Sequence, residues 1–146
     1  MFGTDGIRGF PNKGFFVENN LVKIGYSFGI FLKLKDSNIL NIFLSKDTRE
    51  SSDFIEKCLT KGINKAGLST IKLGVLPTSS LSIFTNKYPY SAGIMITASH
   101  NSSEYNGIKF INKNGEKISS KDEKKIKKIF ETQMKVKRIK TKNITY

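Results

Sequence analysis

The 146-residue sequence is long enough for one domain with its own core and short for two, and it holds no apolar stretch near the roughly 18 residues that span a bilayer. The start "MFGTDGIRGF" lacks the layout of a secretory signal and Cys58 is the only cysteine, so we expect a cytoplasmic protein without an internal disulfide. The net charge of +13 favours an acidic ligand, but many lysines fall after residue 112 with few aromatic residues beside them, so we interpret them as a solvated helix face and do not expect nucleic acid or membrane partners.

The first half of the chain predicts a helix, a strand and a second helix. Residues 18–35 place apolar side chains at helical spacing and predict an amphipathic helix. The short apolar run from Ile39 to Ser45 predicts a buried strand. A second helix follows the polar turn "KDTRESS", whose Ser51 and Ser52 are candidate N-caps.

The second half continues the same alternation. Residues 69–75 predict a strand, a short helix follows Pro77, and residues 91–98 predict the most apolar strand of the set. The segments "GIKFIN" and "EKIS", on either side of the turn "KNG", predict a hairpin. A last helix is expected from about Lys121 to Met134.

Strands that alternate with helices predict βαβ units, and therefore a largely parallel sheet covered on both faces. Ligands of such sheets bind beyond the carboxyl ends of the strands. The polar loops "SKDTRESS", "LPTSS" and "TASHNSSEYN" would open onto that edge together. Residues 135–146 lose the helical periodicity, so we interpret residues 1–134 as the domain and the remainder as a linker or tail.

A hydrolase site is not supported by the pair Ser99 and His100. Adjacent side chains point in different directions, the sequence has no second histidine, and the Gly-x-Ser-x-Gly pattern is missing. The chain also has no Cys/His cluster for zinc, no Walker loop and no Gly-x-Gly-x-x-Gly motif.

A phosphate site fits the residues better. The opening "FGTDGIRG" combines three glycines, whose backbone can approach an anion closely, with the guanidinium of Arg8. Lys46 and Arg49 add positive charge on a second loop, and Lys109 follows Ser99 by ten residues. A serine among these cations could carry a phosphoryl group. The plainer alternative is that the glycines form turns and that "KDTR" caps a helix with a surface ion pair.

The segments "FGTDGIRG", "SKDTR", "ITASHN" and "NGIKF", in this order and at this spacing, resemble the first domain of the α-D-phosphohexomutase family. The resemblance covers about residues 2–110, and the Asp5 form of the opening motif is most similar to that of bacterial phosphoglucosamine mutases. It implies a three-layer αβα sandwich with a mixed, largely parallel sheet.

The resemblance also implies a reaction. Ser99 matches the family's phosphoserine, which donates its phosphoryl group to a hexose monophosphate and takes back the other phosphate of the bisphosphate intermediate. For the most similar subfamily, glucosamine 6-phosphate becomes glucosamine 1-phosphate, a step toward peptidoglycan precursors. Mg²⁺ is the implied cofactor, and Ser99 would be its ligand through the attached phosphate.

The remaining site residues follow from the same matches. The implied catalytic residues are Ser99, His100, Lys109 and Arg8, with Lys109 as the proton-transfer group. The implied phosphate- and substrate-binding residues are Arg8, Asn101, Lys109, Lys46 and Arg49.

Two departures from the family pattern affect the interpretation. Ser102 stands where the family usually has proline, and the carboxylate cluster that holds the metal is absent from the sequence. We therefore expect this chain to be the N-terminal domain of a longer enzyme, inactive without the missing C-terminal domains. Two alternatives stay open: a phosphomannomutase or phosphoglucomutase domain, and a basic module without catalytic activity that binds nucleic acid or regulates a partner.

Overall fold

The computed structural model describes residues 1–142, with side chains as far as Gln133. These residues form five strands: β1 (Ile7–Gly9), β2 (Asn41–Lys46), β3 (Ser69–Val75), β4 (Ser91–Ile96) and β5 (Asn106–Ile111). They also form four α-helices: α1 (Glu18–Lys35), α2 (Ser52–Lys65), α3 (Thr78–Lys87) and α4 (Ser120–Lys142). None of these helices is long and apolar enough to cross a membrane.

The five strands make one mixed sheet in the order β1-β5-β4-β2-β3. The strand β2 lies at the parallel centre, with β3 on one side and β4 on the other. The strand β5 runs antiparallel to β4, and β1 runs antiparallel to β5. The consecutive strands β4 and β5 are therefore neighbours, so the loop that joins them is held at both ends by the sheet.

Helices cover both faces of the sheet, which confirms the predicted three-layer αβα sandwich. The helices α1, α2 and α4 pack on one face over the larger core, where Leu44, Ile94 and Ile108 are fully buried. The helix α3 covers part of the other face over a smaller cluster: Phe43, Leu81, Met95 and Ile111.

Two glycines let α1 and α2 cross at backbone contact. A Cβ atom added at Gly62 would lie 1.9 Å from the carbonyl oxygen of Val22, and one added at Gly25 would lie 2.3 Å from that of Leu59. Both distances are shorter than any real Cβ contact, so only glycine fits at this crossing. The crossing fixes α2, whose first residues contact the candidate site.

The structure differs from the sequence prediction in three places. The strand β1 was not predicted, because it is only three residues long and lies between glycines, although Ile7 is fully buried. The predicted hairpin is a turn closed by a single bridge between Ile111 and Lys117, without a second strand. The helix α4 continues to Lys142 instead of ending near Met134, so part of the predicted linker is helical. Residues 143–146 of that linker lie outside the described residues.

Candidate active site

Ser99 lies on the loop between β4 and β5. Its φ of 55° is in the left-handed region, which costs a residue with a side chain about 1–2 kcal/mol. The surrounding hydrogen bonds offset this cost. The Ser99 amide donates to Thr97 Oγ1 at 2.9 Å, and the Asn101 amide donates to the carbonyl of Ala98 at 3.1 Å.

Lys109 contacts the serine directly. Its Nζ donates to Ser99 Oγ at 2.8 Å. The register of the sheet places Lys109 opposite Met95 on β4, and so on the face away from the larger core. The serine hydroxyl therefore lies beside a cation that can stabilise negative charge on its oxygen.

Arg8 lies on the same face of the sheet as Lys109. It pairs with Gly107 across β1 and β5, and alternate residues along β5 share a face. A Cβ atom at Gly107 would come within 2.5 Å of the Thr97 carbonyl and 3.2 Å of Arg8 Cγ, so glycine makes room for the arginine. Arg8 Nη2 contacts Asp5 at 3.3 Å, whereas its buried Nε has no hydrogen-bond partner among the described residues. Arg8 lines an open depression with residues 1–6.

Arg49 is placed differently from its predicted role as a phosphate-binding residue. All five of its guanidinium N–H donors are engaged within the protein. Nε donates to Asp47 Oδ2 at 2.9 Å. Nη1 donates to the carbonyls of Ser102 at 2.5 Å and Tyr105 at 2.9 Å, and Nη2 donates to the carbonyls of Ser99 and Asn101, both at 3.0 Å. A guanidinium has no further donor for a substrate phosphate. In this structure Arg49 therefore holds the loop that carries Ser99.

Asp47 completes this arrangement from the end of β2. Its Oδ2 accepts from Thr97 Oγ1 at 2.6 Å as well as from Arg49, and its Oδ1 accepts from the Arg49 amide at 3.1 Å and from Ser52 Oγ at 3.3 Å. Burial raises the pKa of Asp47, but the hydrogen bonds from Thr97 and Arg49 outweigh it and hold the pKa below its usual range. Asp47 therefore stays ionised and balances the charge of Arg49.

A buried asparagine joins the start of α2 to the start of β5. Asn106 is fully buried, and its Nδ2 donates to Ser51 Oγ at 2.7 Å and to Ser52 Oγ at 3.1 Å. Ser51 precedes α2 but makes no side-chain cap to its backbone, contrary to the N-cap prediction. The sequence analysis did not identify the roles of Asp47, Thr97 and Asn106. Their positions at the ends of three strands, next to the loop of Ser99, could have indicated these roles.

Lys46, the second cation predicted to bind phosphate, pairs with carboxylates of α2. Strand alternation places it on the same face as Ile42 and Leu44, toward α2. There its Nζ pairs with Asp53 at 2.6 Å and Glu56 at 3.2 Å, and the pairing with Asp53 raises the pKa of Lys46. The lysine thus joins β2 to α2.

The loop borders an open cleft of about 870 Å³. Ser99 and Asn101 line this cleft with Arg49, and His100 and Asn101 are exposed on the loop. Within residues 1–142, no group of three or more His, Cys, Asp or Glu side chains could hold a metal ion. The described residues therefore do not by themselves fit the Mg²⁺ site that the resemblance implies.

Comparison with known proteins gives a family match over nearly the whole chain. The family model "Phosphoglucomutase/phosphomannomutase, alpha/beta/alpha domain I" matches residues 1–137. A phosphoglucosamine mutase of Clostridium botulinum (strain Loch Maree / Type A3) is 42% identical over 135 residues, which cover 92% of this chain and 30% of that protein. A phosphoglucosamine mutase of Prochlorococcus marinus (strain AS9601) is 44% identical over 131 residues, covering 90% of this chain and 28% of that protein.

A solved structure has the same fold. The putative phosphomannomutase from Thermus thermophilus superposes with a TM-score of 0.80 at 28% identity, covering 89% of this chain and 29% of that chain. This chain thus spans just under a third of the length of the curated relatives given above.

Proposed function

The chain belongs to the phosphoglucomutase/phosphomannomutase family, and we propose that it supplies the phosphoserine domain of a phosphoglucosamine mutase. The observation that carries the proposal is the 2.8 Å hydrogen bond from Lys109 Nζ to Ser99 Oγ, on a loop held by its own network. The similarity to phosphoglucosamine mutases at 42–44% identity supports the choice of substrate.

In the proposed reaction, the hydroxyl at C1 of glucosamine 6-phosphate attacks the phosphorus of phosphorylated Ser99. The bond from phosphorus to Ser99 Oγ breaks, and glucosamine 1,6-bisphosphate forms. The bisphosphate reorients, Ser99 Oγ attacks the phosphorus at C6, and glucosamine 1-phosphate leaves while Ser99 is phosphorylated again. Such a transfer depends mainly on positioning and on neutralising charge.

Lys109 and Arg8 are the proposed cations of this step. Lys109 lies within hydrogen-bond distance of the oxygen that leaves phosphorus, so its ammonium can neutralise the developing charge. We assign to the same group the proton transfer between Ser99 and the sugar hydroxyl. Arg8, on the same face of the sheet, would bind the reacting phosphate, and the exposed His100 and Asn101 would contact the substrate.

The complete enzyme would need parts that this chain does not contain. We propose Mg²⁺ as its cofactor, with a phosphate oxygen on Ser99 as one ligand and carboxylates from further domains as the others. We also propose residues 1–134 as the domain and the residues after it as the connection to those domains. The cytoplasmic location expected from the sequence stays a prediction.

The first test is the intact mass of the protein purified from its own cells, followed by mapping of its phosphate. We expect one phosphate on Ser99, absent from Ser99→Ala and retained in the matched control Ser102→Ala. A phosphate on Ser102 or Ser103 instead would refute the assignment. A native mass near 16.4 kDa would mean that the other domains come from a separate chain.

The second test concerns the substrate. Turnover of the native enzyme should be compared on glucosamine, glucose and mannose 6-phosphates. The highest kcat/KM is expected for glucosamine 6-phosphate. Preference for the glucose or mannose compound would replace the proposed activity with that of a phosphoglucomutase or phosphomannomutase.

A further inference from the structure

The five engaged donors of Arg49 suggest a role beyond holding the fold. Four of them end on carbonyl oxygens of residues 99–105, and the fifth ends on Asp47. We propose that Arg49 is a positioning residue that orients the peptide groups of this loop so that their amides bind the phosphate carried by Ser99. This inference rests on the proposed function, since it requires a phosphate at that position.

The orientation follows from peptide geometry. In a planar trans peptide, the carbonyl of one residue and the amide N–H of the next point in opposite directions, and the described part of the chain has no cis peptide bond. The carbonyls of Ser99, Asn101 and Ser102 point at the guanidinium. The N–H groups that follow them, those of residues 100, 102 and 103, therefore point away from Arg49.

These three amides are available to a ligand. None of them donates a hydrogen bond to another atom of the residues that the structure describes. They lie within four residues of Ser99 on one short loop. A backbone N–H group that has no partner in the protein can bind an anion, and hydrogen bonds to a phosphate are strengthened by its charge. Donors fixed in advance need no reorganisation when the charge arrives.

Arginine suits this role better than lysine does. A planar guanidinium offers five donors in a fixed fork, whereas an ammonium offers three on a flexible stem. The Arg49 side chain is only 10% exposed, so water cannot readily replace it. Asp47 neutralises its charge and also accepts from Thr97, which in turn accepts from the Ser99 amide. Arg49 and Ser99 are thus linked through both the backbone and the Asp47 side chain.

The test compares the wild-type chain with Arg49→Gln, Arg49→Lys and the control Lys35→Gln. The control removes an ion pair to Asp122, at 2.5 Å, that joins α1 to α4 and does not involve the loop. Two readouts are taken by NMR of the ¹⁵N-labelled protein. The first is hydrogen exchange of the Asn101 and Tyr105 amides, and the second is the shift of the amides of residues 100, 102 and 103 as inorganic phosphate is added at constant ionic strength.

In Arg49→Gln, the amides of Asn101 and Tyr105 should exchange about tenfold faster than in wild type. Amides of the core strands should change only as much as the free energy of unfolding of the whole variant changes. The phosphate-induced shifts should be largely lost. Arg49→Lys keeps the charge but should show the same defects to a smaller extent, and it carries the test if Arg49→Gln does not fold. Lys35→Gln should match wild type in both readouts.

The proposal would be overturned if hydrogen exchange and the phosphate-induced NMR shifts were both unchanged in the two Arg49 variants. It would also be overturned if the loop amides of the wild-type protein did not shift when phosphate is added. The two proposals fail separately. A native protein without phosphoserine but with an Arg49-dependent loop would remove only the proposed enzyme function. Phosphoserine at residue 99 with a loop indifferent to Arg49 would remove only the positioning role.

Discussion

Replacing Asp47 with alanine should lower the free energy of unfolding by about 2–4 kcal/mol. The carboxylate accepts four hydrogen bonds, at 2.6, 2.9, 3.1 and 3.3 Å, and two of the four come from Arg49. Hydrogen bonds to a charged group contribute about 1.5–3 kcal/mol each. The total is smaller than their sum because the Asp47 side chain is 27% exposed and water can replace part of what is lost.

The decrease in the free energy of unfolding should exceed that for breaking an ordinary surface ion pair, because Asp47→Ala leaves the charge of Arg49 in place without its carboxylate. The Arg49 side chain is 10% exposed, and without Asp47 its Nε loses its acceptor and its charge loses the carboxylate paired with it. Asp47→Asn keeps one oxygen acceptor but removes the charge, so about half of the effect is expected. Urea denaturation at neutral pH measures all of these values, provided that the slope with denaturant concentration stays constant.

Asp36 offers a matched control. Like Asp47, it accepts the amide of the residue two positions later and pairs with a cation, Lys113 at 3.3 Å, but that lysine lies at the surface. Asp36→Ala should therefore cost clearly less than Asp47→Ala. Equal losses for the two variants, or a loss below about 1 kcal/mol for Asp47→Ala, would refute the reasoning that Asp47 and Arg49 form a partly buried network.

Three further outcomes are expected. Folding lowers the pKa of Asp47, so the stability that this carboxylate contributes is complete above its unfolded pKa near 3.9 and is lost as the pH falls through its folded pKa. A plot of the free energy of unfolding against pH in the acid range should therefore have a smaller slope for Asp47→Ala than for wild type. Gly62→Ala should cost about 3 kcal/mol or more in urea denaturation because its Cβ would meet the Val22 carbonyl, whereas the exposed neighbour Lys61→Ala should be almost neutral. Lys109→Met should reduce the rate at which Ser99 gains phosphate from glucosamine 1,6-bisphosphate in the native enzyme by about 10²-fold or more, and a rate within threefold of wild type would exclude the assigned role.

The elements that periodicity predicted well are those with many apolar residues. The helix α1 and the strand β4 bury a continuous apolar face, so their types and approximate bounds could be predicted from the sequence alone. The strand β1 could not, because three residues are too few to establish a period. The turn at residues 112–117 was predicted as a hairpin because local apolar pairs do not reveal whether a second strand has a partner.

The site was predictable in part for a different reason. Ser99 and Lys109 are brought together by two neighbouring strands, and the segments "ITASHN" and "NGIKF" that carry them both match the active site of the family. The partners of Arg49 are backbone carbonyls 50 to 56 residues away, and a carbonyl leaves no mark in the sequence. The face of Lys46 was predictable, since alternation along β2 places it with Ile42 and Leu44 on the face covered by helices.

The pairing of β4 with β5 limits which insertions and deletions the gene can accept. Ser99 lies on the loop that joins this antiparallel pair and Lys109 lies on β5, and Lys109 keeps its face only while it lies opposite Met95. An added residue in the exposed part of the loop leaves that register intact. An added residue between Asn106 and Lys109 would shift the lysine by one position and turn it toward the larger core. Natural variation in length should therefore concentrate at the loop tip and be absent from the first half of β5.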